Sequence, residues 1–408
     1  MAIAALLLSL LGSGQAPPPK GKVLEQVVES YLLADEKRQG ELRAQYDLEL
    51  APLKEQELEK LRAEMLKIAM SKGPKIKSSQ RLNYLIDEKT HRGKYLVEGK
   101  VSRSLTIGLH DIGTGGDELE SAVSALKDPA GFALFPEVAD QNRYGWTDPS
   151  SEQFLVQLIE AAKRTGKVDP DHIYLAGLGM GGYGAWTLGA HHADLLAGAA
   201  SFAGAPSVVA RSGGDPSSIG EGVIPNLCNL PLYFFQSLDD PQTPPAANRF
   251  ASRELLRWRT EHGGFEFQYV EVNGRGHGLP AAGCLQALEW LTKHARNARP
   301  KQVLWQPMLD WKKQFYWLYW HQPRREAIVS AVVREGNVIE VQNLTDPKVC
   351  SNLSLLLGPP IVDLSREVRV NVNGRERFHG LVPRTFSTIL LTLPRCDPGL
   401  LFDARIDL

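Results

Sequence analysis

The sequence predicts an α/β protein with a mostly parallel sheet, helices on both faces, N-terminal helices and a small C-terminal β domain. Three observations lead there. Between residues 81 and 299, short β-branched and apolar runs alternate with helical stretches, the pattern of parallel strands joined by crossover helices. Before residue 81 the chain is rich in Glu, Lys, Leu and Ala, which favour helix. Beyond Pro300 it turns to short alternating strands with turn signals. Its 408 residues exceed one ordinary domain, and 43% hydrophobic with 23% charged residues is a globular composition. Lys plus Arg number 46 against 47 Asp plus Glu, so the chain lacks the strong field that would recruit nucleic acid or an anionic membrane.

Residues 1–16, MAIAALLLSLLGSGQA, hold an apolar run followed by small residues. At about ten residues the run is too short to span a bilayer and fits the core of a secretory signal peptide. The expectation is export to the periplasm or exterior, with cleavage near Ala16. An uncleaved anchor is the alternative, since no Lys or Arg precedes the run. Residues 17–80 form an N-terminal helical segment, helical over 23–72 with a break at Pro52, and its charges read as a solvated face. Residues 81–299 form the α/β domain. A hairpin is expected around Arg92-Gly93, then strands at 103–113, 131–136, 172–177, 196–203, 232–237 and 265–272, and helices at 151–165, 182–193 and 281–296. Residues 300–408 form the β domain, where Asn373-Gly374 is a two-residue hairpin cue. Its entrance, WKKQFYWLYWH, concentrates aromatics between Trp311 and Trp320. These suit a strand buried between domains better than a carbohydrate-facing surface. Cys228, Cys284, Cys350 and Cys396 lie far apart with no CxxC, so neither a zinc site nor a dense disulfide framework is indicated.

The stretch HIYLAGLGMGGYGAW, residues 172–186, admits two readings. Gly177, Gly179 and Gly182 satisfy the G-x-G-x-x-G dinucleotide fingerprint, yet the same strand-turn-helix setting suits the nucleophile elbow G-x-S-x-G, with Gly179 where the serine belongs. The dinucleotide reading needs a first strand and a carboxylate at the end of the next one. Strand signals already precede residue 172, and the next strand ends SFAGAP without an acid. No NAD, FAD or other cofactor is therefore expected. The elbow reading needs an acid and then a histidine in later post-strand loops. Asp239 and Asp240 follow LYFFQS, and His277, between glycines, follows FEFQYVEV.

With these motifs the chain resembles secreted esterase- and peptidase-like α/β-hydrolases, near the polyhydroxybutyrate depolymerase, feruloyl esterase and prolyl-oligopeptidase-like groups. The resemblance covers about residues 82–298 and rests on LHDIG at 109–113, VDPDHIYLAGLGMGGYGAW at 168–186, DDPQTP at 239–244 and GRGHG at 274–278. It implies the α/β-hydrolase fold, Asp240 as triad acid, His277 as triad base, the Met180 amide as one oxyanion donor and the loop after His110, at Ile112, as the other. Two departures stand out. Gly179 replaces the nucleophilic serine, and Asp111 and Ile112 replace glycines usual in the oxyanion loop. The resemblance thus implies a catalytically impaired pseudohydrolase that keeps the Asp-His pair and a pocket for a small ester or peptide-like ligand. The alternative is an active ester or peptide hydrolase using a water activated by His277, or another nucleophile such as Ser201 or Ser237. A third reading is an interaction protein that works through its terminal segments.

Overall fold

The computed structural model describes residues 15–89, 92–112, 117–126, 131–138, 145–210, 214–346 and 351–408. Residues 1–14 of the expected signal segment, Gly113 of the LHDIG motif and Cys350 lie outside them. The N-terminal segment forms α1 (Gly21–Leu33), α2 (Glu36–Glu49) and α3 (Glu55–Ser71). Pro52 separates the last two, as the sequence suggests. A further break at Ala34-Asp35 is fixed by the Asp35 carboxylate, which accepts the Arg38 N–H at 2.8 Å and caps α2. Leu24, Val28, Tyr31 and Met65 from these helices join Phe386 and Ile389 of the C-terminal region in one apolar cluster. The amphipathic faces of the first helices are therefore buried against the chain's far end.

The large sheet is built from β1 (Leu82–Asp87), β2 (Arg92–Glu98), β3 (Leu105–Leu109), β4 (Phe132–Pro136), β5 (Ile173–Leu178), β6 (Gly198–Phe202), β9 (Leu232–Ser237) and β10 (Phe267–Val272). The small pair β7 (Val208–Ala210) and β8 (Pro216–Ile219) interrupts that sequence as a separate two-stranded ribbon. Spatial order is β1-β2-β4-β3-β5-β6-β9-β10. The hairpin β1–β2 and the pair β2–β4 are antiparallel, and every pair from β4 to β10 is parallel. The hairpin turn falls before Arg92-Gly93, which lie within β2 instead of at its bend.

Central strands of such a sheet are buried on both faces, and β3 and β5 read LTIGL and IYLAGL accordingly. Side chains alternate between two cores. Leu175 faces α5 (Pro149–Lys163) and α6 (Met180–His191) in one, while Tyr174 and Ala176 face α4 (Glu118–Leu126) and α8 (Leu285–Leu291) in the other. The helix expected at 281–296 is confined to α8. A further helix that the sequence pattern does not mark, α7 (Ala246–His262), contributes Ala251 and Leu255 to the first core. A mostly parallel sheet of this order, covered on both faces, is the α/β-hydrolase fold.

The C-terminal region holds β11 (Gln302–Trp305), β12 (Gln314–Phe315), β13 (Leu318–Trp320), β14 (Val329–Arg334), β15 (Val338–Asn343), β16 (Leu353–Leu357), β17 (Val368–Val372), β18 (Arg375–Gly380), α9 (Phe386–Thr392) and β19 (Ala404–Asp407). They form sheets ordered β11-β14-β15-β17-β18 and β12-β13-β16-β19. Asn373 and Gly374, at φ 49° and 75°, make the β17–β18 turn, the left-handed geometry that the Asn-Gly pair supplies. Phe315, Tyr316, Trp317 and Trp320 are buried, and the Tyr316 hydroxyl donates to the Ala193 carbonyl at 2.9 Å. Most of the aromatic entrance is thus an internal seam, with Tyr319 half-buried and Trp311 at its start exposed. A continuous apolar cluster runs from Leu175 and Trp186 to Trp305, Trp317 and Leu355.

Candidate active site

Gly179 sits between the end of β5 and the first residue of α6 at φ 54° and ψ −114°. That backbone angle is open to glycine without strain. The turn is pinned from both sides, the Gly179 N–H donating to the Phe202 carbonyl at 2.9 Å and its carbonyl accepting the Tyr183 N–H at 3.1 Å. Neighbouring glycines serve close packing: a Cβ on Gly181 would fall 2.1 Å from the Leu109 carbonyl oxygen. The glycine cluster therefore lets α6 settle onto the ends of β3 and β5, the setting of an elbow.

His277 and Asp240 come together as their chain order implies. His277 Nδ1 lies 3.0 Å from both Asp240 carboxylate oxygens, and since a carboxylate only accepts, Nδ1 carries the proton. Asp240, whose side chain is fully buried, is held in turn by N–H groups of Gln242 at 2.8 Å and Thr243 at 2.9 Å. Asp239, offered beside Asp240 by the sequence, does a different job. Its carboxylate accepts the Ser237 hydroxyl and the N–H groups of Gly274, Arg275 and Gly276, tying down the loop that carries His277. The Ser237 hydroxyl and these amides draw its pKa down to about 2.

The unexpected occupant is Asp111. Its Oδ1 accepts the N–H of Met180 and the N–H of Ile112, each at 2.7 Å. These are the two amides expected to form an oxyanion cradle, and both point at one oxygen of the chain's own carboxylate. Its other oxygen, Oδ2, lies 3.3 Å from His277 Nε2. That nitrogen is buried and makes no hydrogen bond among the described residues, so the two groups lie close without hydrogen-bond alignment. A Cβ built on Gly179 would stand 2.0 Å from Asp111 Oδ1 and 2.4 Å from Oδ2. The room left by the missing side chain, which the water-activation reading requires, is filled by a carboxylate.

The backbone of Asp111 is fixed by the residue before it. Buried His110 donates from Nδ1 to the Asp111 carbonyl at 2.7 Å and accepts the Val138 N–H at Nε2, 3.2 Å away, which defines its tautomer. Burial lowers its pKa and keeps the ring neutral. Trp146 packs on that ring, centroids 4.9 Å apart, and donates its indole N–H to the His110 carbonyl at 2.9 Å. The two serines weighed as substitute nucleophiles are engaged elsewhere: Ser201 donates to the Gly182 carbonyl and Ser237 to Asp239, both fully buried. No group of three or more His, Cys, Asp or Glu side chains among the described residues is arranged to hold a metal ion.

No family model matches the chain. A protein described as "Putative esterase NocK", from Nocardia uniformis subsp. tsuyamanensis, is 35% identical over 117 residues, 25% of this chain and 33% of that protein. The chain thus spans a third of that relative's length. Among solved structures, a thermostable esterase aligns with TM-score 0.39 at 22% identity over 53% of this chain and 63% of the other. An arylesterase gives TM-score 0.38 at 15% identity over 64% and 97% of the two chains. A puromycin-hydrolyzing peptidase from Mycobacterium tuberculosis gives 0.39 at 15% identity over 51% and 37%.

Proposed function

We propose that this chain is an exported α/β-hydrolase-fold protein of esterase or peptidase descent that has lost serine-type acyl transfer and keeps its Asp240–His277 pair. In this reading Gly179 stands where the nucleophilic serine would be, and the binding site takes a small ester or peptide-like ligand, with no role for dinucleotides or nucleic acid. One observation carries the reading: the Met180 and Ile112 amides both bind Asp111 Oδ1, within 2.0 Å of where a side chain on Gly179 would begin. Acyl transfer needs those amides for the substrate's oxyanion, and losing even one such donor costs about a hundred- to a thousandfold. Losing a triad serine costs on the order of a millionfold in the subtilisin series. The resemblance of the elbow, acid and histidine motifs to secreted esterases and the partial match to NocK support the descent.

The test is turnover of p-nitrophenyl acetate by the purified protein. The expected rate equals buffer background and is unchanged by His277→Ala. Turnover above buffer that disappears with His277→Ala would overturn the reading in favour of water activation.

A further inference from the structure

Away from the elbow, α3 and the loops that lead into α9 and β19 enclose a cavity of about 540 Å³. Small-molecule sites occupy roughly 300–1,000 Å³. Leu58 and Leu66 of α3, with Leu401, give it an apolar wall. Its charged lining is incomplete. Asp403 is 1% exposed, yet neither of its carboxylate oxygens accepts a hydrogen bond from another described residue. Arg384 Nε is also buried and donates none. The two groups lie 3.5 Å apart, Nε to Oδ2, without hydrogen-bond alignment. Their backbones are fixed, the Asp403 carbonyl accepting the Thr385 N–H at 2.7 Å and the Arg384 carbonyl the Leu53 N–H at 2.8 Å. Burial raises the pKa of Asp403 even though Arg62, Arg384 and Arg299 pull it down. A buried ion pair is favourable only when further hydrogen bonds complete it, and here both partners lack them.

The deficit is two-sided, acceptors at Asp403 and a donor at Arg384. A ligand that is only an anion meets Asp403 together with Glu55, 3.5 Å from Arg384 Nη2, and Glu59. One that is only a cation meets Arg62 and Arg384. A molecule with both charges answers both, its ammonium donating to Asp403 and its carboxylate accepting from Arg384. The charges must lie close together, because the protein groups are 3.5 Å apart, and an α-amino acid carries them on one carbon. Arg62 Nη2 is held on the Leu401 carbonyl at 2.6 Å, which brings a second guanidinium to the same lining. The wall of Leu58, Leu66 and Leu401 matches an apolar side chain. We infer that this cavity binds a free α-amino acid with an apolar side chain, Asp403 taking its ammonium and Arg384 and Arg62 its carboxylate. The site shares no residue with the elbow, so the inference stands independently of the role of Asp111. Because α3 supplies one part of the lining and the C-terminal region the other, the bound amino acid ties the two together and stabilises the folded chain.

The experiment is calorimetric titration of the full chain with L-leucine. Saturable binding is expected, with Tm rising over the same concentrations. N-acetyl-leucine lacks the ammonium, leucinamide lacks the carboxylate, and γ-aminobutyrate holds the two charges too far apart. Each should bind more weakly than leucine by on the order of tenfold or more, the loss expected for one hydrogen bond to a charged group. These comparisons use the natural protein and do not depend on the folding of a variant. Asp403→Asn and Arg384→Gln should weaken leucine binding by a similar factor, with circular dichroism showing that each is folded. Absence of saturable leucine binding overturns the inference. So does N-acetyl-leucine bound as tightly as leucine, which marks a simple anion site, or leucinamide bound as tightly, which marks a simple cation site. Equal affinity for γ-aminobutyrate, or leucine affinity unchanged in folded Asp403→Asn, overturns it as well.

Discussion

Two regions of this molecule surround a carboxylate with donors, and they differ in what they leave open. Beside the seam between the large sheet and the C-terminal strands, Asp397 is 1% exposed, and both its oxygens are engaged. Arg296 binds them at 2.9 Å, Lys163 reaches Oδ2 at 3.2 Å and the Gly399 N–H reaches Oδ1 at 3.0 Å. Nearby Asp194 takes Lys312 at 2.6 Å and Arg395 at 2.8 Å in the same manner. At the elbow, Asp111 is 31% exposed and has one oxygen bonded and the other facing a histidine. Full satisfaction in a dry interior fixes how segments dock. Half satisfaction at an exposed position leaves one carboxylate oxygen open to solvent or a ligand.

The comparison breaks most visibly at Asp397. Asp397→Ala strands Arg296 and Lys163 without their shared anion, and unfolding by denaturant should show a loss of about 3–5 kcal/mol. A loss under about 1 kcal/mol would place this network with weakly contributing surface pairs.

Acid should weaken the interior in a set order. Buried His192 has its pKa lowered to about 4, mainly by burial, so between its unfolded value near 6.5 and 4 the unfolded chain binds the extra proton and stability falls as pH drops. Glu152 acts with the same sign: burial raises its pKa, but hydrogen bonds from His191 and His192 hold it at about 2, so its contribution is present above its unfolded value and lost as pH falls toward 2. Asp397, held well below the ordinary carboxylate range by Arg296 and Lys163 despite burial, follows with the same sign. Thermal melts from pH 7 to pH 3 should show Tm falling from about pH 6.5 downward. A flat profile across that window contradicts the assignment.

Smaller effects sharpen the contrast. Tyr316→Phe removes the hydroxyl that reaches Ala193 across the seam and should cost about 0.5–1.5 kcal/mol in the same denaturant assay, because the carbonyl keeps only the Leu196 N–H at 3.4 Å. Asp111→Asn should cost under about 1 kcal/mol, since an amide oxygen still accepts from Met180 and Ile112. If it destabilises as strongly as Asp397→Ala, Asp111 belongs with the structural carboxylates and the contrast between the two regions fails.

Much of the site's frame was legible in the sequence because chain order and strand ends are local signals. The glycines around Gly179, the acid after LYFFQS and the histidine after FEFQYVEV each announce themselves within a few residues. The position of Asp111 does not. In the sequence it is only an acid where the resemblance leads one to expect glycine, and its meaning depends on Met180, 69 residues away. Asp239 and Asp240 look equivalent as neighbours, and only the folded loops separate the one that holds amides from the one that holds His277. The ion network was invisible for a similar reason, since Lys163 and Asp397 are 234 residues apart. The aromatic run marks this segment as apolar, which suits burial. The partner it packs on, Ala193 in the turn after α6, is a property of the fold.

Labelling with a fluorophosphonate tests most directly whether Asp111 occupies the place of serine chemistry. The natural protein should take no label. Gly179→Ser alone should take little, because its side chain begins within 2.0 Å of the Asp111 carboxylate. Combined with Asp111→Gly, which clears that carboxylate from the two amides, it should label at the elbow and lose the label with His277→Ala. Label on the natural protein, or a double variant that is folded but no more reactive than Gly179→Ser alone, would contradict the account.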